Sequence, residues 1–227
     1  MVGTIIVAAG TSSRMNGVNK LLEDINGKCV LAMTLENFEN CSEVDYIVVV
    51  TRVDMMNEVN KIIKENKFNK ILKVVEGGKT RQESVKNGIS VCPKETSIIA
   101  IHDGARPFTD INDIKNVIFD CRKYGASILG VKVKDTVKIV KDGFINETPN
   151  RDDLFNAQTP QVFNFSLYNK ALENAEKKGL SFTDDSQLFE SIGEKVYITL
   201  GSYKNIKITT LEDIEIAKAF SLNFKNN

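Results

Sequence analysis

In TIIVAAGTSSRMNGVNK, residues Thr4–Lys20, a β-branched run changes abruptly to small residues, and two basic side chains follow. The run Ile5–Val7 suits a strand that is buried on both faces of a sheet. The small residues Ala8–Gly10 let backbone N–H groups of the following loop approach an anion or a base edge closely. Arg14 and Lys20 then add positive charge. The stretch therefore predicts a buried strand that leads into an anion-binding loop.

The loop in this stretch matches neither of two common phosphate-binding motifs. It lacks the GxGxxG of dinucleotide-binding folds and the GxxxxGK[ST] of a P-loop, which argues against an ordinary dehydrogenase or ATPase. A buried strand followed by a loop with two solvated basic residues is a second interpretation, and the stretch alone leaves both open.

The composition is that of a globular protein with balanced charge. The 227 residues are 42% hydrophobic, and 30 Lys and Arg balance 30 Asp and Glu, so no global field favours nucleic acid or an anionic membrane. No apolar run approaches the ~18 residues of a membrane span. We expect one domain over residues 1–227, soluble and cytoplasmic, without nucleic-acid or membrane partners. The four cysteines are widely separated and form no CxxC pair, so we expect reduced, structural thiols at Cys29, Cys41, Cys92 and Cys121.

Strand-like and helix-like segments alternate along the chain, as in an α/β protein. We expect strands at Thr4–Ala9, Tyr46–Thr51, Ile71–Glu76 and Ser97–His102. We expect helices near Leu31–Asn40, Asp54–Asn66, Thr80–Val91, Asp110–Tyr124, Ser166–Lys178 and Leu211–Phe220. This order predicts a doubly wound, mostly parallel sheet with helices on both faces, and ligands in such folds bind at the carboxyl ends of the strands.

One segment, Val131–Thr148, breaks this alternation. It carries two strand-like stretches around Lys141-Asp142-Gly143, and Asp-Gly is a favoured hairpin turn. An isolated two-stranded ribbon buries its apolar side chains poorly, and these are Val137, Ile139, Phe144 and Ile145. We therefore expect a protruding β-hairpin arm, at about residues 134–152, through which two copies dimerise. A surface hairpin that folds back on its own sheet is the alternative.

Three further clusters of polar residues follow or overlap apolar runs. They are GGKTR at Gly77–Arg81 with Ser84 nearby, HDGARP at His102–Pro107, and NIKIT at Asn205–Thr209. With the AAG…RM…K loop, the DT at Asp135-Thr136, TPQVF and TDD, the chain resembles the 2-C-methyl-D-erythritol 4-phosphate cytidylyltransferases. The resemblance runs in order from about Thr4 to about Ala219. It implies a Rossmann-like fold of the nucleotidyltransferase type.

The resemblance implies a reaction in which CTP and a sugar-alcohol phosphate give a CDP-linked alcohol and pyrophosphate. Since a phosphate oxygen is already an anionic nucleophile, the protein's task is to align two anions and stabilise developing negative charge. By the family's pattern, the catalytic residues are Arg14, Lys20 and Lys207. The chain has Asn19-Lys20 where many members have Pro-Lys, and the loop before Lys20 is a residue short, so its geometry departs from the pattern.

The family's other site positions also have counterparts here. Nucleotide-binding positions match Ala8, Ala9, Gly10, Gly78, Arg81, Ser84 and Asp103. Asp103 is in addition the expected ligand of Mg²⁺, which needs few protein carboxylates; a helix N-cap or a partner for Arg106 are its alternatives. A plain strand-to-helix turn capped by Thr80 is the alternative for the Gly77-Gly78 loop.

Acceptor-binding positions match Arg106, Thr136, Arg151 and Thr159. Arg106 either binds the acceptor or orders its loop. Thr136 and Arg151 match residues that the family supplies from the partner subunit's arm, which implies a homodimer with shared sites. His102 is interpreted as a packed, hydrogen-bonded residue, and Asp184 and Asp185 as charges at a helix N-terminus.

Two alternative functions remain open at this point. A ribitol 5-phosphate cytidylyltransferase would share the fold, the CTP site and the chemistry, and would differ in a few acceptor contacts. A CTP-binding regulatory domain without turnover is the non-enzymatic alternative, and the retained basic and acidic site residues argue against it.

Overall fold

A computed structural model describes residues 1–10 and 19–224 of the chain. Its main sheet has seven strands, and a separate sheet has two. The strands are β1 Val2–Ala8, β2 Tyr46–Thr51, β3 Ile71–Glu76, β4 Ile98–Asp103, β5 Ala126–Lys132, β6 Ile139–Lys141, β7 Phe144–Glu147, β8 Phe155–Asn164 and β9 Tyr197–Leu200. The helices are α1 Val30–Glu39, α2 Met56–Glu65, α3 Arg81–Ile89, α4 Ile111–Tyr124, α5 Phe165–Lys178, α6 Asp185–Glu190 and α7 Leu211–Phe224.

The main sheet has the order β3-β2-β1-β4-β8-β5-β9. Strands β1 to β4 pair in parallel, and β5 pairs in parallel with β9. Strand β8 is antiparallel to both of its neighbours, β4 and β5. The strand order reverses between β1 and β4, because the chain leaves edge strand β3 and crosses to the other side of β1. Such a switch point opens a crevice at the carboxyl ends of the strands.

Helices cover both faces of this sheet, as the doubly wound prediction requires. One core cluster joins the sheet to α1, α2, α4 and α7, and a second joins it to α3, α5 and α6. Strand β1 supplies both, since Ile6 belongs to the first cluster and Ile5 to the second. The β-branched run of the opening stretch is therefore buried on both faces, which confirms the mostly parallel α/β architecture.

The four predicted strands and six predicted helices are present, with shifts of a few residues at their ends. Two helix ends show why the chain turns where it does. Asp110 caps α4 by accepting a hydrogen bond from the Asn112 N–H, and Gly125 ends it with a φ of 88°. No helix in the part of the chain that the structure describes is long and apolar enough to cross a membrane. All four cysteines are free thiols.

The segment predicted as a hairpin over Val131–Thr148 is shorter than expected. Its first residues belong to β5 of the main sheet, and only β6 and β7 form the ribbon. The turn lies where Asp-Gly predicts it, with φ values of 52° at Asp142 and 84° at Gly143. The ribbon is a sheet of its own, and Phe144 and Ile145 are 79% and 64% exposed. It therefore protrudes with its apolar side chains in solvent.

Candidate functional site

A cleft of about 310 Å³ lies at the carboxyl ends of the parallel strands. It is lined by residues that follow β1, β3 and β4, and by one side chain from the segment between β9 and α7. Predicted site residues that line it are Ala8, Ala9, Gly10, Lys20, Gly78, Arg81, Ser84, Asp103 and Lys207. Arg14 lies outside the described residues.

Small residues allow two loops to meet at one wall of this cleft. A Cβ on Gly77 would lie 2.5 Å from the Ala9 Cβ, and a Cβ on Gly78 would lie 2.3 Å from the Glu83 Cβ. Real Cβ atoms do not approach so closely, so both positions require glycine. The loop after β3 therefore packs directly against the small residues that follow β1.

Side-chain hydrogen bonds hold the loop after β3 in place. Ser84 Oγ accepts a hydrogen bond from the Gly78 N–H at 3.0 Å and donates to the Thr80 carbonyl at 2.8 Å. Thr80 caps α3 by accepting from the Glu83 N–H. The turn capped by Thr80 thus exists, and the same turn forms a wall of the cleft.

Asp103, the last residue of β4, is the charge centre of the cleft. Lys207 Nζ lies 2.9 Å from its Oδ2, Arg106 Nε lies 3.5 Å from the same oxygen, and Arg81 Nε lies 3.8 Å from Oδ1. Burial alone would raise the pKa of the Asp103 carboxyl, but the three cations lower it well below its usual range. The carboxylate therefore stays ionised. It does not cap a helix, since Asp110 caps α4.

Arg106 lies beneath the cleft, with its side chain 11% exposed. Its Nη1 donates to the Asn205 carbonyl at 2.8 Å, which joins the loop after β4 to the segment that carries Lys207. Of the two roles predicted for Arg106, these contacts are those of loop ordering. Contact of Arg106 with an acceptor stays a prediction.

His102 is fully buried behind Asp103. Its Nδ1 lies 2.9 Å from Thr159 Oγ1, its Nε2 lies 3.3 Å from the Arg106 carbonyl, and its ring packs on Phe38 with 4.7 Å between centroids. Burial lowers its pKa to about 3. Thr159 Oγ1 also accepts a hydrogen bond from the Asp103 N–H at 3.1 Å. His102 is thus packed and hydrogen-bonded, as the sequence predicts, and the Thr159 hydroxyl contacts both His102 and the Asp103 backbone.

Asp185 makes contacts with Arg81 and Tyr168 that the sequence interpretation missed. Asp184 caps α6 as expected, by accepting from the Gln187 N–H. Asp185 is the first residue of α6, which confirms the predicted N-terminal position, and it is also buried, with Oδ2 at 2.5 Å from Arg81 Nη1 and Oδ1 accepting from the Tyr168 hydroxyl at 2.6 Å. Burial alone would lower the pKa of Arg81, yet Asp185 and Asp103 raise it. No local signal marked this contact, because Arg81 and Asp185 are brought together only by the fold.

The two predicted residues of the arm lie away from the cleft in the single chain. Thr136 and Arg151 are exposed and do not line it, and Arg151 Nη1 donates to the Lys134 carbonyl at 3.2 Å. Residues Thr159 and Arg106 lie below the cleft floor and do not line it either. The substrate contacts expected for the arm residues in the cleft of a second copy stay predictions.

Asp103 is the carboxylate that faces the cleft, and its chemistry suits Mg²⁺. Within residues 1–10 and 19–224, no group of three or more His, Cys, Asp or Glu side chains is arranged to hold a metal. Mg²⁺ does not need such a group, because it takes one or two carboxylates and completes its shell with phosphate oxygens and waters. Asp103 therefore fits Mg²⁺ when a nucleoside triphosphate supplies further oxygen ligands.

Comparison with known proteins supplies the family relations of the chain. The model of the family IspD: 2-C-methyl-D-erythritol 4-phosphate cytidylyltransferase matches residues 2–222. The enzyme of that name from Clostridium novyi (strain NT) is 42% identical over 224 residues, which are 97% of this chain and 96% of the relative. The one from Clostridioides difficile (strain 630) is 43% identical over 219 residues, 96% and 92% of the two chains.

Solved structures agree with the sequence relatives. The structure of 4-diphosphocytidyl-2C-methyl-D-erythritol synthase from Anaerococcus prevotii DSM 20548 matches with a TM-score of 0.89 and 36% identity, over 98% of this chain and 96% of the other. The 2-C-methyl-D-erythritol 4-phosphate cytidylyltransferase of Francisella tularensis matches with a TM-score of 0.81 and 31% identity, over 96% and 98% of the two chains.

Proposed function

Because the chain belongs to the 2-C-methyl-D-erythritol 4-phosphate cytidylyltransferase family, we propose that it transfers the cytidylyl group of CTP to 2-C-methyl-D-erythritol 4-phosphate. The products are 4-diphosphocytidyl-2-C-methyl-D-erythritol and pyrophosphate, in the non-mevalonate route to isoprenoid precursors. The protein is thus an enzyme of the nucleotidyltransferase class.

One observation supports this reaction most directly. The cleft gathers Lys20, Arg81 and Lys207 with the ionised Asp103 at the switch point of the sheet. A reaction between two phosphate groups needs such a set of cations, since two like charges at ~4 Å repel by roughly 4 kcal/mol at an effective dielectric of 20. No general base is needed, and His102, buried and neutral, does not supply one.

The chemistry follows from the charges. A phosphate oxygen of the acceptor attacks the α-phosphorus of CTP, a new P–O bond forms, and the bond from that phosphorus to the β-phosphate oxygen breaks. Pyrophosphate leaves with the electron pair. We assign Lys20 and Lys207 to the negative charge that develops at the α-phosphate, and Arg14 to the triphosphate on the strength of the family pattern.

The wall built from two small-residue loops is our candidate for the cytosine and ribose end of CTP. Backbone groups of Ala8, Ala9 and Gly78 are rigidly placed there, so they can meet a base edge with little loss of entropy. The Ser84 hydroxyl fixes Gly78, and Arg81 reaches from α3 toward Asp103. These residues would bind and orient the nucleotide without taking part in bond breaking.

We further infer that Asp103 holds Mg²⁺ when CTP is bound. A bound divalent cation would neutralise triphosphate oxygens and so favour departure of pyrophosphate. The protein's own contribution is a buried carboxylate that stays ionised because Lys207, Arg81 and Arg106 surround it. Those cations keep one negative charge in the cleft at every pH at which the enzyme would work.

We also infer that two copies of the chain associate through the arm. The arm exposes apolar side chains that a lone ribbon leaves in water, and a two-fold dimer would cover the same surface on both copies. In that dimer, Thr136 and Arg151 of one copy would bind acceptor phosphate in the cleft of the other.

The free thiols of the chain suit a reducing compartment, and the cytoplasm is the location that we propose.

The test of this function is pyrophosphate release from CTP and Mg²⁺ with a single added acceptor. Release with 2-C-methyl-D-erythritol 4-phosphate and not with D-ribitol 5-phosphate is the expected result. Preference for ribitol phosphate would keep the mechanism and overturn the acceptor. Absence of release with either acceptor would overturn the proposed activity.

A further inference from the structure

The segment that carries Lys207 has no regular structure of its own. The last hydrogen bond to the sheet is donated by the Gly201 N–H to the Gly130 carbonyl at 3.0 Å, and residues 202–210 continue to α7 without helix or strand. Lysine has a long flexible side chain, and the place that its ammonium reaches depends on where the backbone starts. Something other than secondary structure must therefore fix Lys207 relative to Asp103.

Asn205, two residues before Lys207, is fully buried in this segment, with 0% exposure. Its Nδ2 donates to the Thr159 carbonyl at 2.9 Å and to Gln158 Oε1 at 3.3 Å. Its Oδ1 accepts from the Thr109 hydroxyl at 2.9 Å. One side chain thus joins the segment to β8 and to the loop before α4.

Two backbone contacts continue this attachment on either side of Lys207. The Asn205 carbonyl accepts from Arg106 Nη1 at 2.8 Å, and the Ile208 N–H donates to the Ala105 carbonyl at 2.9 Å. Lys207 is therefore suspended between two anchors on the loop that follows β4, the strand that ends in Asp103. The side-chain amide of Asn205 adds a third attachment beside these two, to β8 and to Thr109.

We propose that Asn205 is a positioning residue, whose buried amide sets the Lys207 ammonium against Asp103 and the reacting phosphate. It touches no substrate and acts through Lys207. Where catalysis is concerned, this proposal rests on the proposed function. A displacement of about 1 Å in a charged group at the reacting centre lowers turnover by up to about a hundredfold, so an uncharged buried amide can matter for rate.

A double-mutant cycle tests the proposal in the full-length enzyme. Asn205→Ala is expected to lower kcat by about tenfold or more and to change the KM for CTP less than about threefold. In a Lys207→Ala background the same change is expected to cost less than about twofold, since the lysine it positions is gone. An equal loss in both backgrounds would show that Asn205 acts independently of Lys207.

A milder variant guards against simple loss of folding. Thr109→Val removes one hydrogen bond to Asn205 Oδ1 and keeps the shape of the side chain, so a smaller loss of kcat with the same dependence on Lys207 is expected.

Asn164→Ala is the matched control: this asparagine caps α5 by accepting from the Leu167 N–H, at the end of β8 that lies away from the cleft. A similar drop in melting temperature with unchanged kcat is expected for the control. Equal kcat losses in Asn205→Ala and Asn164→Ala would assign Asn205 a purely structural role.

A second measurement needs no substrate. The rate at which limiting acetic anhydride labels Lys207, measured by peptide mass spectrometry against exposed Lys61 as internal reference, is expected to rise at least about threefold in Asn205→Ala. The ion pair with Asp103 protects the ammonium of the parent enzyme, and Asn164→Ala should leave the rate unchanged. An unchanged rate in Asn205→Ala would overturn the positioning role. Failure of the parent enzyme to release pyrophosphate would instead overturn the proposed function, and the labelling result would still stand.

Discussion

Asp103 shows how a single buried carboxylate organises the site. Three basic groups surround it, Arg106 from the same loop and the other two from distant parts of the sequence. Each is held by a further contact: Lys207 by its anchored segment, Arg106 by the Asn205 carbonyl, and Arg81 by Asp185. Asp103 and Asp185 together offset two of the three positive charges. The surplus positive charge suits a triphosphate, and the pKa of Asp103, held low, keeps the balance constant with pH.

Lys20 carries the first prediction at this scale. Lys20→Ala is expected to lower kcat by roughly 10²–10³, because the proposed mechanism assigns its charge to the α-phosphate, while CTP affinity falls less. Steady-state kinetics with equilibrium binding of CTP measures both. Lys61→Ala, on the exposed face of α2, is the control and should keep full activity. Full turnover in Lys20→Ala would remove this lysine from the mechanism.

His102, the only histidine of the chain, predicts how stability depends on pH. Its pKa is about 3 in the folded protein and about 6.5 when unfolded, so between these values only the unfolded chain binds the proton. The free energy of unfolding should therefore fall as pH drops below about 6.5, by up to ~1.4 kcal/mol per pH unit from this group. Urea unfolding at pH 7, 6 and 5 measures the slope.

The control for this slope is a variant that cannot titrate there. His102→Gln keeps a polar side chain and should be less stable at pH 7, but its stability should change less between pH 7 and pH 5 than that of the parent. Equal slopes for the two proteins would show that His102 is not buried in its neutral form.

At the scale of elements, the strands fall into those with a clear sequence signal and those without. The runs that became β1 and β2 are long, apolar and β-branched, as buried parallel strands are. Strand β8 contains Pro160 and several polar residues, and β9 has only four residues. Neither has a continuous β-branched run like those of β1 and β2, and each is placed by its pairing with neighbouring strands. They escaped prediction for that reason.

The arm carries the prediction at this scale. Replacing its two most exposed apolar side chains, in Phe144→Asp/Ile145→Asp, is expected to convert dimers to monomers, because a charge would be buried in the contact. Sedimentation velocity measures the change. Phe119→Asp is the matched control, since Phe119 is 64% exposed on α4 and lies outside the arm. A dimer that survives the double change would place the contact between copies elsewhere.

At the scale of the whole molecule, the cleft of one chain lacks the acceptor-binding residues expected from the arm. Mixed dimers of Lys20→Ala and Arg151→Ala test whether the partner supplies them. In a mixed dimer, one site would carry both defects and the other would carry none. Random mixing should restore about a quarter of the parent activity, and each variant alone should be far less active. Lack of restoration would place Arg151 in the site of its own chain.

Local chemistry along the chain was enough to predict the α/β class, the strand-to-loop transition after β1, the Asp-Gly turn of the arm and the glycine-rich wall of the cleft. These features depend on side-chain size, periodicity and turn preference within a few residues. The motifs in their order identified the family as well. The candidate cations were found by the same means, since each lies in a short motif.

Only the folded chain revealed which of these residues meet. Three contacts join residues 96 to 104 positions apart: Asp185 with Arg81, Arg106 with the Asn205 carbonyl, and Asn205 with Thr109. A buried polar group must find a partner wherever the sheet order places one. Sheet order is decided by the packing of whole elements, which no short stretch of sequence records.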